Sequence, residues 1–305
     1  MNKWSRYVQS PRFLEISRKY YFPAPDTYPL IRRYLGVTGE MQILDVGCGT
    51  GFFTRLLAEG LSRGKVYGLD IDGEHIAAAR EIGRRQGLAG RVEFIQGDAL
   101  SLPFEDGAFD LVASCTFFNV VKNPRAAMGE MLRVVRDGGV VASLDSMTLG
   151  NQTWHRGYYP ELPWLARLEE LEKKIWRMYQ AIYPLAGVAV GLPTSEIPHF
   201  FAASGLKKVR VHALGRVFSL SNAILSPEER QEYITALYLD GLEKLNNYLK
   251  LPQSKDYLTR EEVDEYAGLL MQKRDYLLSE EDENIIWEWY GGANLLTVGD
   301  VVKKK

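Results

Sequence analysis

A chain of 305 residues, 46% apolar and 25% charged, is long and apolar enough to bury a sizeable core, which excludes a disordered polymer. Its 37 basic and 39 acidic side chains leave a net charge of −2, with an isoelectric point near 6.2, against the basic excess of a general nucleic-acid binder. Only Cys48 and Cys115 carry thiols, which excludes a disulfide framework or CxxC site. With no secretory core in Met1–Tyr7 and no apolar run of bilayer length, a cytoplasmic globular protein without a membrane span is expected.

In chain order, a helix over Tyr28–Leu35 leads to a strand, Gln42–Val46, that stops at glycines. A helix (52–61), a strand (65–70), a helix (73–86) and a strand (92–96) follow. A strand over 109–114, a helix over 124–135 and a strand over 139–145 complete the run. Short buried strands separated by crossover helices predict a doubly wound, mostly parallel α/β sheet. Past Ser146 the pattern changes: aromatics and prolines precede a helix over 165–179 with Leu168, Leu171, Ile175 and Met178 on one stripe. Ser195 caps a short helix ended by Gly205, and Lys207–Leu214 alternates like a strand. Residues 222–290 read as helical, with capping boxes at Ser226-Pro227-Glu228-Glu229 and Thr259-Arg260-Glu261-Glu262, a third N-cap at Ser279 and a stop at Gly291-Gly292. That stretch holds 16 acidic and 7 basic side chains. Asn294–Val302 reads as a last strand, antiparallel beside Lys207–Leu214.

The most informative stretch is Asp45-Val46-Gly47-Cys48-Gly49-Thr50-Gly51. A glycine-rich turn from strand to helix lets the backbone approach a ligand and present its amides. The pattern departs from the dinucleotide G-x-G-x-x-G. Its leading acid, Asp45, would repel a pyrophosphate but suits a ligand with an ammonium group. Asp70 ends the second strand, where a carboxylate can accept both hydroxyls of an adenosine ribose. Asp98 ends the third, placed to accept from an adenine amino group while the Ala99 amide donates to the ring.

These residues resemble the class I S-adenosylmethionine-dependent methyltransferases, in the branch related to quinone-biosynthesis C-methyltransferases. The resemblance rests on Leu44–Gly51, Val66–Asp72, Gly97–Ala99, Leu102–Asp110 and Leu132–Gly139, in family order. It implies a Rossmann-like sheet with an antiparallel last strand and helical insertions, and S-adenosylmethionine as cofactor. The loop of Gly47, Cys48, Gly49 and Gly51 would hold the methionine part, Asp70 the ribose, Ile71 an adenine face, and Asp98 with Ala99 the adenine edge. Ser114 and Cys115 would line the floor. Many relatives carry a His pair after the fourth strand, where this chain has Phe117-Phe118-Asn119-Val120 and so no imidazole base. The Asn/Asp-Pro-Pro-Tyr/Phe motif of amino-group nucleic-acid methyltransferases is absent.

The expected organisation is an N-terminal helical cap (1–40), a cofactor-binding core (41–146), a helical and aromatic insertion serving as acceptor lid (147–194), a return to the core sheet (195–221), an acidic helical insertion (222–290), and a last strand with its tail (291–305). The reaction expected is transfer of the sulfonium methyl to a small organic acceptor by in-line displacement. His155, among Trp154, Tyr158 and Tyr159, is the histidine nearest the acceptor side and a weak candidate for catalysis. His75 reads as solvated decoration. No metal is expected, and the insertions offer a surface for a second subunit. Methylation of RNA or protein, cofactor binding without catalysis, and nicotinamide-dependent oxidation are the rival readings.

Overall fold

Eight strands join one sheet in the order β3-β2-β1-β4-β5-β8, with β7 and β6 also paired to β8. The computed structural model describes residues 4–21, 25–88, 90–147, 154–158, 162–182, 191–219, 225–279 and 287–303. Helices α1 (Trp4–Tyr7), α2 (Pro11–Tyr21) and α3 (Tyr28–Leu35) precede β1 (Gln42–Val46). Then come α4 (Phe52–Ala58), β2 (Lys65–Asp70), α5 (Gly73–Arg85), β3 (Val92–Gln96), β4 (Phe109–Cys115), α6 (Pro124–Val134) and β5 (Val135–Met147). The second half adds β6 (Trp154–Tyr158), α7 (Leu165–Ile182), α8 (Ile197–Ala203), β7 (Lys207–Ser219), α9 (Pro227–Tyr248), α10 (Arg260–Ser279) and β8 (Trp287–Asp300).

Strands β1 to β5 pair in parallel, and β8 runs antiparallel to β5, with Val140 opposite Asp300 and Met147 opposite Ala293. The period-two alternation of side chains splits the core into two layers. Ile43, Val66, Leu111 and Leu144 pack under α3, α4 and α5. Leu44, Val46, Val112 and Val141 pack under α6 and α8. A third apolar cluster lies outside the sheet, built from Tyr7, Ile16, the buried stripe of α7 (Leu168, Leu171, Ile175, Met178) and buried residues of α9 and α10. Both expected capping boxes form: Ser226 and Thr259 exchange hydrogen bonds with Glu229 and Glu262 at 3.0–3.2 Å.

Several expectations are corrected. Within 1–40, only α1 and α2 join the outer cluster; Ile31 and Leu35 of α3 lie in the sheet core. Ser279 ends α10 and donates back to the Tyr276 carbonyl; the helix expected after it lies outside the described residues. Trp287–Tyr290 belong to β8, as do Gly291 and Gly292, so the helical stretch does not reach 290. The last strand therefore starts seven residues earlier than expected, and β7 extends to Ser219 to pair with it. The mechanism is cross-strand: Trp289 and Tyr290 find partners in Ser219 and Phe218, which the local Gly-Gly signal does not reveal. Residues 147–194 also contain a strand, β6, paired with β8. Among the described residues no helix is long and apolar enough to cross a membrane.

Candidate functional site

The C-terminal ends of the parallel strands form one edge. The glycine loop folds over it, because the Gly47 and Cys48 amides both donate to the Leu69 carbonyl of β2, at 2.7 and 3.0 Å. Gly49 (φ 55°) and Gly51 (φ 83°) adopt left-handed backbone, and there is no room for a side chain at either. A Cβ at Gly49 would come within 2.8 Å of Leu14, and one at Gly51 would strike the Phe94 ring.

Asp70 braces this loop. Its Oδ2 accepts from the Gly49 amide and its Oδ1 from the Asp72 amide, each at 2.8 Å. Burial raises its pKa, opposed by these bonds. Asp72 caps α5 by accepting from Glu74. Ile71, between them, is 47% exposed, an apolar side chain left open beside the carboxylate. Asp98 is exposed and accepts from the Leu100 amide at 2.9 Å, while Ala99 is buried. The Gly97 amide donates to the Asp70 carbonyl at 2.9 Å, which brings the ends of β2 and β3 together.

Asp45 lies beneath the loop, fully buried. Its Oδ2 accepts from the Thr54 hydroxyl at 2.6 Å, and its Oδ1 has no hydrogen-bond partner among the described residues. Burial pushes its pKa up to about 7; the Thr54 bond opposes that rise and the charge of Asp70 adds to it. A buried carboxylate oxygen without a donor is costly, and an ammonium group would satisfy it. The glycine cradle and this oxygen thus fit the aminoacyl end of S-adenosylmethionine. Cys48 and Cys115 are buried thiols; burial holds Cys48 well above the usual range and pushes Cys115 up to about 12. Neither is a thiolate nucleophile near neutrality. Ser114 is buried, its Oγ 3.1 Å from that of Ser143.

The N-terminal segment, expected as a helical cap, forms a strap across this edge, through contacts that sequence reasoning did not identify. Ser5 donates its amide to Asp72 at 2.9 Å, and the His75 ring meets the Gln9 carbonyl at 3.2 Å. His75 is therefore a buried contact and not solvated decoration. Further along α2, Glu15 accepts from Thr50 at 2.5 Å and from Arg55 at 2.6 Å. Arg18 then donates to the Thr116 hydroxyl just past β4. The strap crosses the loops after β2, β1 and β4 in turn. Its outer side is held by α9, where Asn247 donates to the Arg6 carbonyl at 3.0 Å and Lys19 pairs with Glu229 at 3.1 Å. Asp145, the last residue of the strand expected over 139–145, lies two residues before the end of β5 and was not among the expected site residues, although the strand-end logic that singled out Asp70 applies to it. The side chain of His155 lies outside the described residues; its backbone pairs with Tyr290.

The family described as a methyltransferase domain matches residues 38–182. The demethylmenaquinone methyltransferase of Bacillus mycoides is 31% identical over 181 residues, 59% of this chain and 75% of that protein. That of Bacillus pumilus is 29% identical over 182 residues, 59% and 76% of the two chains. Two solved structures share the fold at low identity. The YcgJ protein of Bacillus subtilis has a TM-score of 0.52 at 18% identity, covering 92% of this chain and all of that one. Phosphoethanolamine N-methyltransferase 2 of Haemonchus contortus, in complex with S-adenosyl-L-methionine, has a TM-score of 0.53 at 14% identity, covering 99% of this chain and 59% of that one. The chain belongs to the class I S-adenosylmethionine-dependent methyltransferases. Within them it falls in the branch related to quinone-biosynthesis C-methyltransferases, and its cofactor is S-adenosylmethionine.

Proposed function

We propose that the enzyme methylates a planar, apolar small molecule of the quinol type, bound between the strand ends and the helical cap. The observation that carries this reading is the outer cluster itself. It gathers α1, α2, α7, α9 and α10 around an apolar, tyrosine-rich interior that includes Tyr7, Tyr179, Tyr233 and Tyr266. The curated relatives named for demethylmenaquinone support a quinol ring as the first acceptor to try. In this reading α1, α2, α7, α9 and α10 form the cap, and β1 to β5 with β7 and β8 form the core.

Bound S-adenosylmethionine supplies an activated sulfonium methyl. The residues of this chain hold and orient it. Asp45 takes the ammonium group, the amides of the Gly47, Cys48, Gly49 and Gly51 loop the carboxylate, and Asp70 the ribose hydroxyls. Ile71 covers one adenine face, Asp98 and Ala99 its edge, and Ser114 and Cys115 the floor. The cap excludes water and holds the acceptor in line, which is the main demand when the leaving group is already activated.

The test is calorimetric binding of S-adenosylhomocysteine and NAD, followed by transfer from methyl-labelled S-adenosylmethionine to 2-prenyl-1,4-naphthoquinone reduced in place, beside phosphoethanolamine. S-adenosylhomocysteine should bind and NAD should not, with label entering the naphthoquinol. Label entering only phosphoethanolamine would overturn the quinol reading.

A further inference from the structure

We infer that Asp145 is the general base that accepts the proton leaving the methyl acceptor; the inference rests on the acceptor site proposed above. Asp145 lies two residues before the end of β5 and one residue past its last parallel pair, Cys115–Leu144, so it stands at the same edge of the parallel strands as Cys115. It is 1% exposed. Its Oδ2 accepts from the Ser143 hydroxyl, whose oxygen lies 3.1 Å from Ser114 Oγ, while Oδ1 has no hydrogen-bond partner among the described residues. One oxygen is thus anchored by a buried serine pair, and the other is left with nothing to accept from. The large majority of buried side-chain polar atoms have a hydrogen-bond partner, so this open oxygen, like that of Asp45, marks a group kept for a ligand. One oxygen held and one open is the arrangement a proton acceptor needs.

The electrostatic setting agrees. Burial pushes Asp145 up to about 7, opposed by the Ser143 bond and the Arg18 guanidinium. Among the described residues, Arg18 of α2 and Cys115 of β4 are the charged or titratable groups that interact with it; β8 presents Leu295 opposite it, between Asn294 and Leu296. A base with a pKa near the working pH is both available and strong enough to be useful. Neither thiol competes at that pH, and the stretch directly after β4, Thr116–Val120, holds no histidine.

The balance of the step is simple. A ring π pair of the acceptor forms the new C–CH₃ bond, the S–CH₃ pair returns to sulfur, and the C–H pair at that carbon restores the ring as its proton passes to Asp145 Oδ1. Solvent takes it when product leaves. Arg18, carried on the strap, neutralises the carboxylate's neighbourhood and stabilises negative charge developing on the acceptor.

The experiment uses the full chain with S-adenosylhomocysteine bound and aspartate labelled with ¹³C at the carboxyl carbon. A resonance titrating near pH 7 should vanish in Asp145→Asn and persist in Asp45→Asn. If Asp145→Asn removes only a resonance titrating below pH 5, the inference fails. With the reduced naphthoquinone probe, Asp145→Asn should lower the transfer rate by about 100-fold or more and abolish the acid limb near pH 7. Its affinity for S-adenosylhomocysteine should change less than threefold, and Asp145→Glu should recover at least tenfold. Transfer within threefold of the parent, or an unchanged acid limb, overturns the proposal. Failure of the parent chain to methylate the probe would count against the quinol reading alone, and the carboxyl titration would still decide for or against Asp145.

Discussion

Single carboxylates at the strand ends do different work, and their contacts say how each will respond to removal. Asp70 spends both oxygens on backbone amides, so Asp70→Ala loosens the glycine loop as well as removing the proposed ribose acceptor. Its S-adenosylhomocysteine affinity should fall by about 1.5–3 kcal/mol, the usual worth of hydrogen bonds to a charged group, as read by calorimetry. Asp72→Ala should leave that affinity nearly unchanged. It should instead lower stability by about 1 kcal/mol, because Asp72 caps α5 and accepts from Ser5. Asp45 is a third case. Its folded pKa, near 7, stands above the usual 3.8, so the folded chain binds its proton more tightly than the unfolded chain does. Its contribution is therefore complete below about pH 4 and is lost as pH rises toward about 7. Asp45→Asn should then stabilise the cofactor-free protein at pH 8 by about 1–3 kcal/mol, narrow the difference between pH 5 and pH 8, and weaken S-adenosylhomocysteine binding. Thermal unfolding at the two pH values reads the first two effects, and a variant less stable at pH 8 would contradict them.

Among the elements, α2 carries the largest consequence for function, because it is bonded to the loops that would hold the cofactor. Glu15 is the central tie, joining Thr50 of the glycine loop to a largely buried Arg55. Glu15→Ala should speed S-adenosylhomocysteine release several-fold, measured by stopped flow, with a smaller change in unfolding temperature. An unchanged release rate would mean that the strap does not govern exchange. This element also marks where the sequence stops being legible. Strands β1, β2 and β3 and helix α3 have the bounds expected from periodicity, since each is a local apolar run with a local stop. The two capping boxes are equally local. The docking of α2 depends on partners from 35 residues away (Thr50) to 210 residues away (Glu229 from Lys19), and nothing in Pro11–Tyr21 announces them. Gly291-Gly292 misled for a related reason: a good local stop was overruled by the long pairing of β7 with β8. The glycine loop and Asp70 were legible because their chemistry needs a fixed spacing. Asp145 was visible as an acid near a strand end, but its unpartnered oxygen, which it shares with Asp45, is legible only in the structure.

At the scale of the molecule, β8 ties its parts together. On one side it pairs with β5 and then β6, and on the other with β7, so the strand from the far end of the chain sits inside the sheet. Leu296 and Val298 are fully buried in the layer under α3, α4 and α5, while Val301 is buried in the opposite layer. The helical cap is equally dependent on distant segments, since its cluster draws on α1, α2, α7, α9 and α10. The stretch between β7 and β8 supplies two of those helices, so the return of the chain into the sheet fixes where α9 and α10 begin and end. Deleting residues 294–305 removes the antiparallel partner of β5 and leaves β7 without its core neighbour. The expected outcome is loss of a single cooperative thermal transition together with loss of S-adenosylhomocysteine binding, because the edge formed by β1, β4 and β5 then lacks its lateral support. Val298→Asp makes the same point without shortening the chain: an unpaired charge placed in the sheet core should cost several kcal/mol, about what breaking a buried network costs. If the truncated chain kept its melting temperature and its cofactor affinity, α9 and α10 would have to be stabilised by the cap alone, and β8 would be dispensable to the site it borders.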